Sequence, residues 1–266
     1  MLQKVGFFHF GARHDDPKTA LERALEDAQK GKDQPSGVDS DPDALIVLPE
    51  AFNIAVPYRG EGERNFERTI LVDLRHVAKR FNVLFVAGLV IRERCGPRIP
   101  YSAAYLIDGT TCPILMCYKF VPDGTEAGNK ERPENYTVWS TETPDFKNPI
   151  LYQGVNIGAL ICADAAPPKM GPNQSYWDRL LTVVKASDVI CVPAHMDKNI
   201  LGDGKVGSSA ALTSVWKNKL LILANSRPNA INSFITDGAG IIREPAICDP
   251  ENKVITLPLT SLTVGR

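Results

Sequence analysis

The chain has 266 residues with 30 basic and 31 acidic side chains, a formal net charge of −1, and so no general basic field to attract nucleic-acid backbones. Apolar residues make up 44% and charged residues 23%, the balance of a soluble globular protein with a sizeable core. No apolar run approaches the roughly 20 residues of a membrane span, and the opening MLQKVGFFHFG lacks the length and cleavage pattern of a signal peptide. These features point to a cytoplasmic protein with neither nucleic acid nor membrane as partner. The six cysteines form no C-x-x-C pair, and several sit in apolar surroundings where a free thiol behaves as a small hydrophobe. Zinc-type histidine spacing is also missing, so no metal or other cofactor is expected.

KVGFFHF (4–10) reads as a first strand, and PKTALERALEDAQK (17–30) follows with Leu21, Ala24, Leu25 and Ala28 at helical spacing. GKDQPSGVDSDPD (31–43) has loop composition. ALIVLPE (44–50) predicts a buried strand ending at Glu50, 66–82 a helix and VLFVAGLVIR (83–92) another strand. YSAAYLIDG and CPILMCYKF (101–109 and 112–120) read as a hairpin turning at Asp108-Gly109. The polar stretch 121–149 shows no periodicity, which in a compact domain marks a functional or disordered loop. VNIGALIC (155–162) reads as a strand, 175–187 as a helix, 188–195 as a strand, 209–218 as a helix and 219–226 as a strand; 239–259 holds a final pair of strands. Alternating strands and helices predict an α/β fold with covered sheet faces, and the hairpins make the sheets mixed. With no linker composition and no repeat, one domain spans 1–266.

Ligands of α/β sheets collect beyond strand ends. Those ends carry Glu50, Lys119, Cys162 and His195. Each alone suits a bland role: an edge acid, a snorkelling lysine, a core thiol, a loop-capping histidine. Together a carboxylate can take a thiol proton, an ammonium can hold an oxyanion, and a thiolate can attack a carbonyl or nitrile carbon. Those are the parts needed to break a carbon–nitrogen bond through a thioester.

In order and context the chain resembles the nitrilase superfamily of carbon–nitrogen hydrolases. LPEAFN is similar to the family's Glu motif, YKFVPDGTE to its Lys motif and GALICADAAPP to its Cys motif. The likeness extends through WDRLLTVVKASDVICVPA, LLILANS and GAGIIREP. It implies a four-layer αββα sandwich, commonly paired into homodimers, acting on a small-molecule amide without a cofactor. It further implies Glu50 as general base, Lys119 as oxyanion-stabilising cation, Cys162 as nucleophile, Glu126 as a second acid and the Ala163 N–H as a second oxyanion donor. Phe52, Tyr58, Trp139, His195 and Met196 are candidates for the substrate pocket.

Departures are visible. Ala163 stands where the family often has an aromatic, and Lys217 where many relatives carry an acid. Nitrilases proper show Trp-Glu after the cysteine, against Ala163-Asp164 here, although Pro122 is similar to theirs; an amide substrate is favoured over a nitrile. Two rivals differ in class. One is a Cys-His hydrolase pairing Cys162 with His195, weakened because Leu160 and Asp164 stand where nucleophile elbows place small residues. The other is a nitrilase-like scaffold without turnover, which the retention of all three reactive side chains argues against.

Overall fold

The structure, a computed structural model, describes residues 2–9, 16–30, 41–54, 69–91, 101–119, 148–165, 181–195, 219–226, 233–237, 241–243 and 251–259. The strands are β1 (Lys4–His9), β2 (Ala44–Leu48), β3 (Val83–Ile91), β4 (Tyr101–Ile107), β5 (Ile114–Tyr118), β6 (Ile150–Tyr152), β7 (Val155–Ala159), β8 (Val189–Ala194), β9 (Leu220–Asn225), β10 (Phe234–Thr236), β11 (Ile241–Arg243) and β12 (Lys253–Pro258). They form two six-stranded sheets, in the orders β12-β1-β2-β3-β4-β5 and β11-β10-β9-β8-β7-β6.

Both sheets are mixed. In the first, β1, β2 and β3 are parallel, β12 and β4 flank them antiparallel, and β5, antiparallel to β4, runs with the trio again. In the second, β7, β8 and β9 are parallel, β6 and β10 flank them antiparallel, and β11, antiparallel to β10, runs with the trio again. Read from β12 in one sheet and from β6 in the other, the sequence of directions is identical. Each sheet thus carries a central parallel trio whose ends point to one rim.

The period-2 alternation of strand side chains divides the core. Val5, Phe7, Leu45, Val47, Leu84 and Val86 of the first sheet share one cluster with Ile157, Val189, Cys191 and Ile222 of the second, so these faces pack on each other. The opposite face of the first sheet, with Phe8, Ile46 and Phe85, packs under α1 (Pro17–Gln29) and α2 (Thr69–Phe81). Helix α1 begins where Asp16 accepts from the Thr19 N–H at 2.9 Å, with Pro17 pre-set in the first turn. Its stripe Ala20, Leu21, Ala24 and Leu25 is buried, as is the α2 stripe Ile70, Leu74, Val77, Ala78 and Phe81. Residues 181–186 are helical and lie against the outer face of the second sheet, where a Cβ on Gly158 would stand 3.2 Å from Val183 Cγ1. The order helix, sheet, sheet, helix is the expected α/β architecture.

Several expectations change. The chain leaves the strand register at Ala159, so Cys162 is not strand but the first residue of a short 3-10 turn, Cys162–Ala165. Strands β6 and β10 were not anticipated. The closing segment holds the two expected strands, which join different sheets: β11 edges the second while β12 pairs with β1 in the first. The expected helix 209–218 and the loop residues 31–40 and 121–147 lie outside the described residues.

Candidate active site

Three strand ends meet at one rim. Glu50 follows β2, Lys119 follows β5 and Cys162 follows β7, and all three residues have 0% exposure. Lys119 Nζ lies 3.1 Å from Glu50 Oε1, a fully buried ion pair. Two charges are held in a dry interior only when each answers the other, and removing one partner of such a pair is costly. Ser102 Oγ donates to the same Oε1 at 2.8 Å. Glu50 Oε2 is buried and makes no hydrogen bond of normal geometry.

The backbone explains how residues so far apart in sequence are brought together. Lys119 N–H donates to Ser102 C=O at 3.0 Å, continuing the β4–β5 ladder one step beyond β5. Ala194 C=O, at the end of β8, accepts from Glu50 N–H at 3.2 Å and from Ser226 N–H at 3.0 Å. That carbonyl stitches the two sheets together beside the site. Leu160 N–H reaches Cys191 C=O at 3.0 Å, so β7 stays anchored just ahead of the Cys162 turn. Asn148 grips the Ala159 backbone from both sides, Nδ2 to C=O at 2.9 Å and N–H to Oδ1 at 3.0 Å.

Cys162 has φ 49°, left-handed backbone that a side chain with Cβ rarely adopts. The sharp turn thus forms without flanking glycines, with Leu160 and Asp164 two residues to either side. Burial pushes the Cys162 thiol well up, and the Glu50 charge and hydrogen bonding to the Glu50 carboxylate push the same way. The Lys119 ammonium and the His195 backbone N–H pull it down. The Glu50 charge and the Lys119 charge thus act on the thiol in opposite directions. On balance the thiol stays protonated at neutral pH and ionises only when a base takes its proton.

His195, placed just after β8, meets the sulfur with its backbone N–H, while its ring Nδ1 is hydrogen-bonded to Ser226 Oγ. This disfavours the Cys-His pairing. Phe52, a candidate for the substrate pocket, is fully buried and lies edge-to-face on Phe8 with centroids 6.0 Å apart, in the helix-side cluster. Asn225 is buried at the end of β9, its N–H donating to Ser233 Oγ at 2.9 Å. Ala163 lies within the Cys162–Ala165 turn. Glu126, Tyr58, Trp139, Met196 and Lys217 lie outside the described residues. Ser102 and Ser226 were missed. Ser102 had a readable signal, since Ser102, Ala104 and Leu106 alternate onto the inner face of β4 and a lone hydroxyl there needs a partner. Ser226 had none beyond its place after a strand. Among the described residues no cluster of His, Cys, Asp or Glu suited to a metal occurs, and no helix is long and apolar enough to cross a membrane.

Burial also pushes Cys117 and Cys191 up, so three thiols are neutral in the fold but ionise in the unfolded chain above about pH 9.0. The unfolded state then holds fewer protons, and stability falls as pH rises, by about 1.4 kcal/mol per pH unit for each thiol. Urea unfolding between pH 8 and 10.5 should show this slope, and a Cys117→Ala/Cys191→Ala double variant should show a shallower one. Equal slopes would remove the assignment.

In comparisons with known proteins, no sequence family and no curated protein matches the chain. Solved structures do match in fold. An amidase from Nesterenkonia sp. superposes with a TM-score of 0.59 at 15% identity, covering 96% of this chain and 89% of that one. Nit3 of Saccharomyces cerevisiae, described as a member of branch 10 of the nitrilase superfamily, gives 0.62 at 18% identity with the same coverages. A variant of the Nesterenkonia sp. AN1 amidase with acrylamide added at its active-site cysteine gives 0.60 at 15%, covering 98% and 94%. The resemblance to the nitrilase superfamily seen in the sequence therefore holds for the fold, over nearly the whole chain.

Proposed function

We propose that the protein hydrolyses the carbon–nitrogen bond of a small linear amide or carbamoyl compound through a thioester on Cys162. The observation that carries this reading is the convergence of Glu50 and Lys119 on one buried thiol at the rim of the paired sheets. The fold likeness supports it, as does the covalent chemistry described at the active-site cysteine of the Nesterenkonia amidase.

The cycle follows from the charges. Cys162 Sγ attacks the carbonyl carbon as its proton passes to Glu50, so no free thiolate has to be stored in a dry site. The oxyanion that forms is met by the Lys119 ammonium and the Ala163 N–H. The tetrahedral species collapses, ammonia or an amine leaves with the proton from Glu50, and a thioester remains. Glu50 then takes a proton from water as that water attacks the thioester. The acid departs and the proton returns to sulfur. Glu126 would act on Lys119 or on the substrate nitrogen. A nitrile could enter the same cycle, but Ala163-Asp164 in place of Trp-Glu favours the amide.

Ammonia release from propionamide, propionitrile and N-carbamoyl-β-alanine tests the reading. Cys162→Ala should abolish release while leaving the melting temperature nearly unchanged, since losing one buried sulfur costs about 1 kcal/mol. Turnover that persists in this variant would remove Cys162 from the mechanism.

A further inference from the structure

We infer that Ser102 is a positioning residue that divides the work of the Glu50 carboxylate, engaging Oε1 so that Oε2 is left to exchange the proton with Cys162. The inference rests on the reading of Glu50 as base given above and adds to it a residue and an atom assignment.

The geometry is asymmetric. Both donors, Ser102 Oγ at 2.8 Å and Lys119 Nζ at 3.1 Å, are directed at the same oxygen. Oε2 is equally buried, yet neither donor reaches it. A buried carboxylate oxygen without a normal hydrogen bond is costly, and such atoms persist where the surroundings have a use for them. Glu50 and Cys162 follow strands whose ends meet at the same rim, and the Glu50 charge acts on the thiol, so the unengaged oxygen is the one available to sulfur.

Lys119 alone would not fix this arrangement. An ammonium on four rotatable bonds can follow a carboxylate through a rotation about its last torsion. Ser102 cannot. Its side chain is one bond long, it is 1% exposed on β4, and its own carbonyl receives the Lys119 N–H at 3.0 Å. The same residue therefore sets the backbone of the cation and the rotation of the base. Losing the hydroxyl would free the carboxylate to turn and would weaken the hold of Oε2 on the thiol proton.

The test compares Ser102→Ala and Ser102→Cys with the parent and with Glu50→Gln, using full-length protein. Cysteine keeps nearly the shape of serine but is a weak donor, so it separates packing from hydrogen bonding. Both Ser102 variants should lose roughly tenfold or more in kcat on propionamide with KM changed less than about twofold, the scale of one hydrogen bond to a charged group. Both should also alkylate faster at Cys162 with iodoacetamide at neutral pH, with the exposed Cys112 unchanged as an internal standard. A Ser102→Cys variant with parental kcat, a Ser102→Ala variant with parental kcat, or Cys162 labelling at the parental rate would each overturn the inference. If Glu50→Gln is inactive in the same assay, such a result leaves Glu50 as base. An active Glu50→Gln removes that reading and this inference with it.

Discussion

Glu50→Gln is expected to eliminate turnover and, at the same time, to make Cys162 easier to ionise. The two effects have one origin. Glutamine is nearly the shape of glutamate and can still accept from Ser102, but it can neither take a proton from sulfur nor deliver one to a leaving amine. Loss of a general base costs on the order of a hundredfold or more, and here the same group serves both halves of the cycle. The variant also removes the buried ion pair between Glu50 and Lys119, at a cost of about 3 kcal/mol in stability. Cys162 can supply the missing negative charge. The Glu50 charge and hydrogen bond that hold the thiol protonated are gone, while the pull of Lys119 remains. Ammonia release and iodoacetamide labelling on the same preparations check both parts: release should vanish and Cys162 labelling at neutral pH should rise. Parental release would remove Glu50 from the chemistry. A fall in labelling would mean that the carboxylate does not hold the thiol proton.

Gly88→Ala is expected to be the most damaging conservative change away from the reactive groups. A Cβ at this position of β3 would stand 2.5 Å from Pro193 Cβ, 2.7 Å from Glu50 Cα and 3.1 Å from Glu50 N. Two of those three atoms are backbone, which cannot swing aside as a side-chain tip can. At Gly88, β3 passes close to both Glu50 and the end of β8, and β8 in turn holds Glu50 through Ala194 C=O. One methyl group must therefore push the sheets apart or displace Glu50. Overpacking of this kind costs about 3 kcal/mol. Thermal unfolding should show the loss, and kcat should fall even at temperatures where the variant is fully folded. A folded Gly88→Ala variant with parental kcat would show that Glu50 does not depend on this close approach.

The α/β class and the three reactive side chains were legible because both leave local marks. Continuous apolar runs such as ALIVL and VICVPA announce buried strands, and a charged or sulfur side chain at the end of such a run stands out. What was not legible depends on partners distant in sequence. Strand β12 joins β1, the other end of the chain, and nothing inside KVITLP specifies that choice. Strands β6 and β10 are three residues each, and β6 carries an exposed Leu151 at its centre, so neither presents an apolar run. The left-handed turn at Cys162 is strain imposed by its surroundings, and no side-chain propensity reports it. Phe52 illustrates a different ambiguity: an aromatic beside a reactive residue suits a pocket or a core equally well, and nothing local reports its edge-to-face packing on Phe8.

The central claim is that one sulfur feels the carboxylate and the ammonium at once. Its most direct measure is the pH dependence of Cys162 alkylation, followed by peptide mass spectrometry in the parent, Glu50→Gln and Lys119→Met proteins. The midpoint should move down in Glu50→Gln and up in Lys119→Met, because the first variant removes charge that opposes ionisation and the second removes charge that favours it. Midpoints that coincide in all three proteins, or that move in the same direction in both variants, would contradict the account.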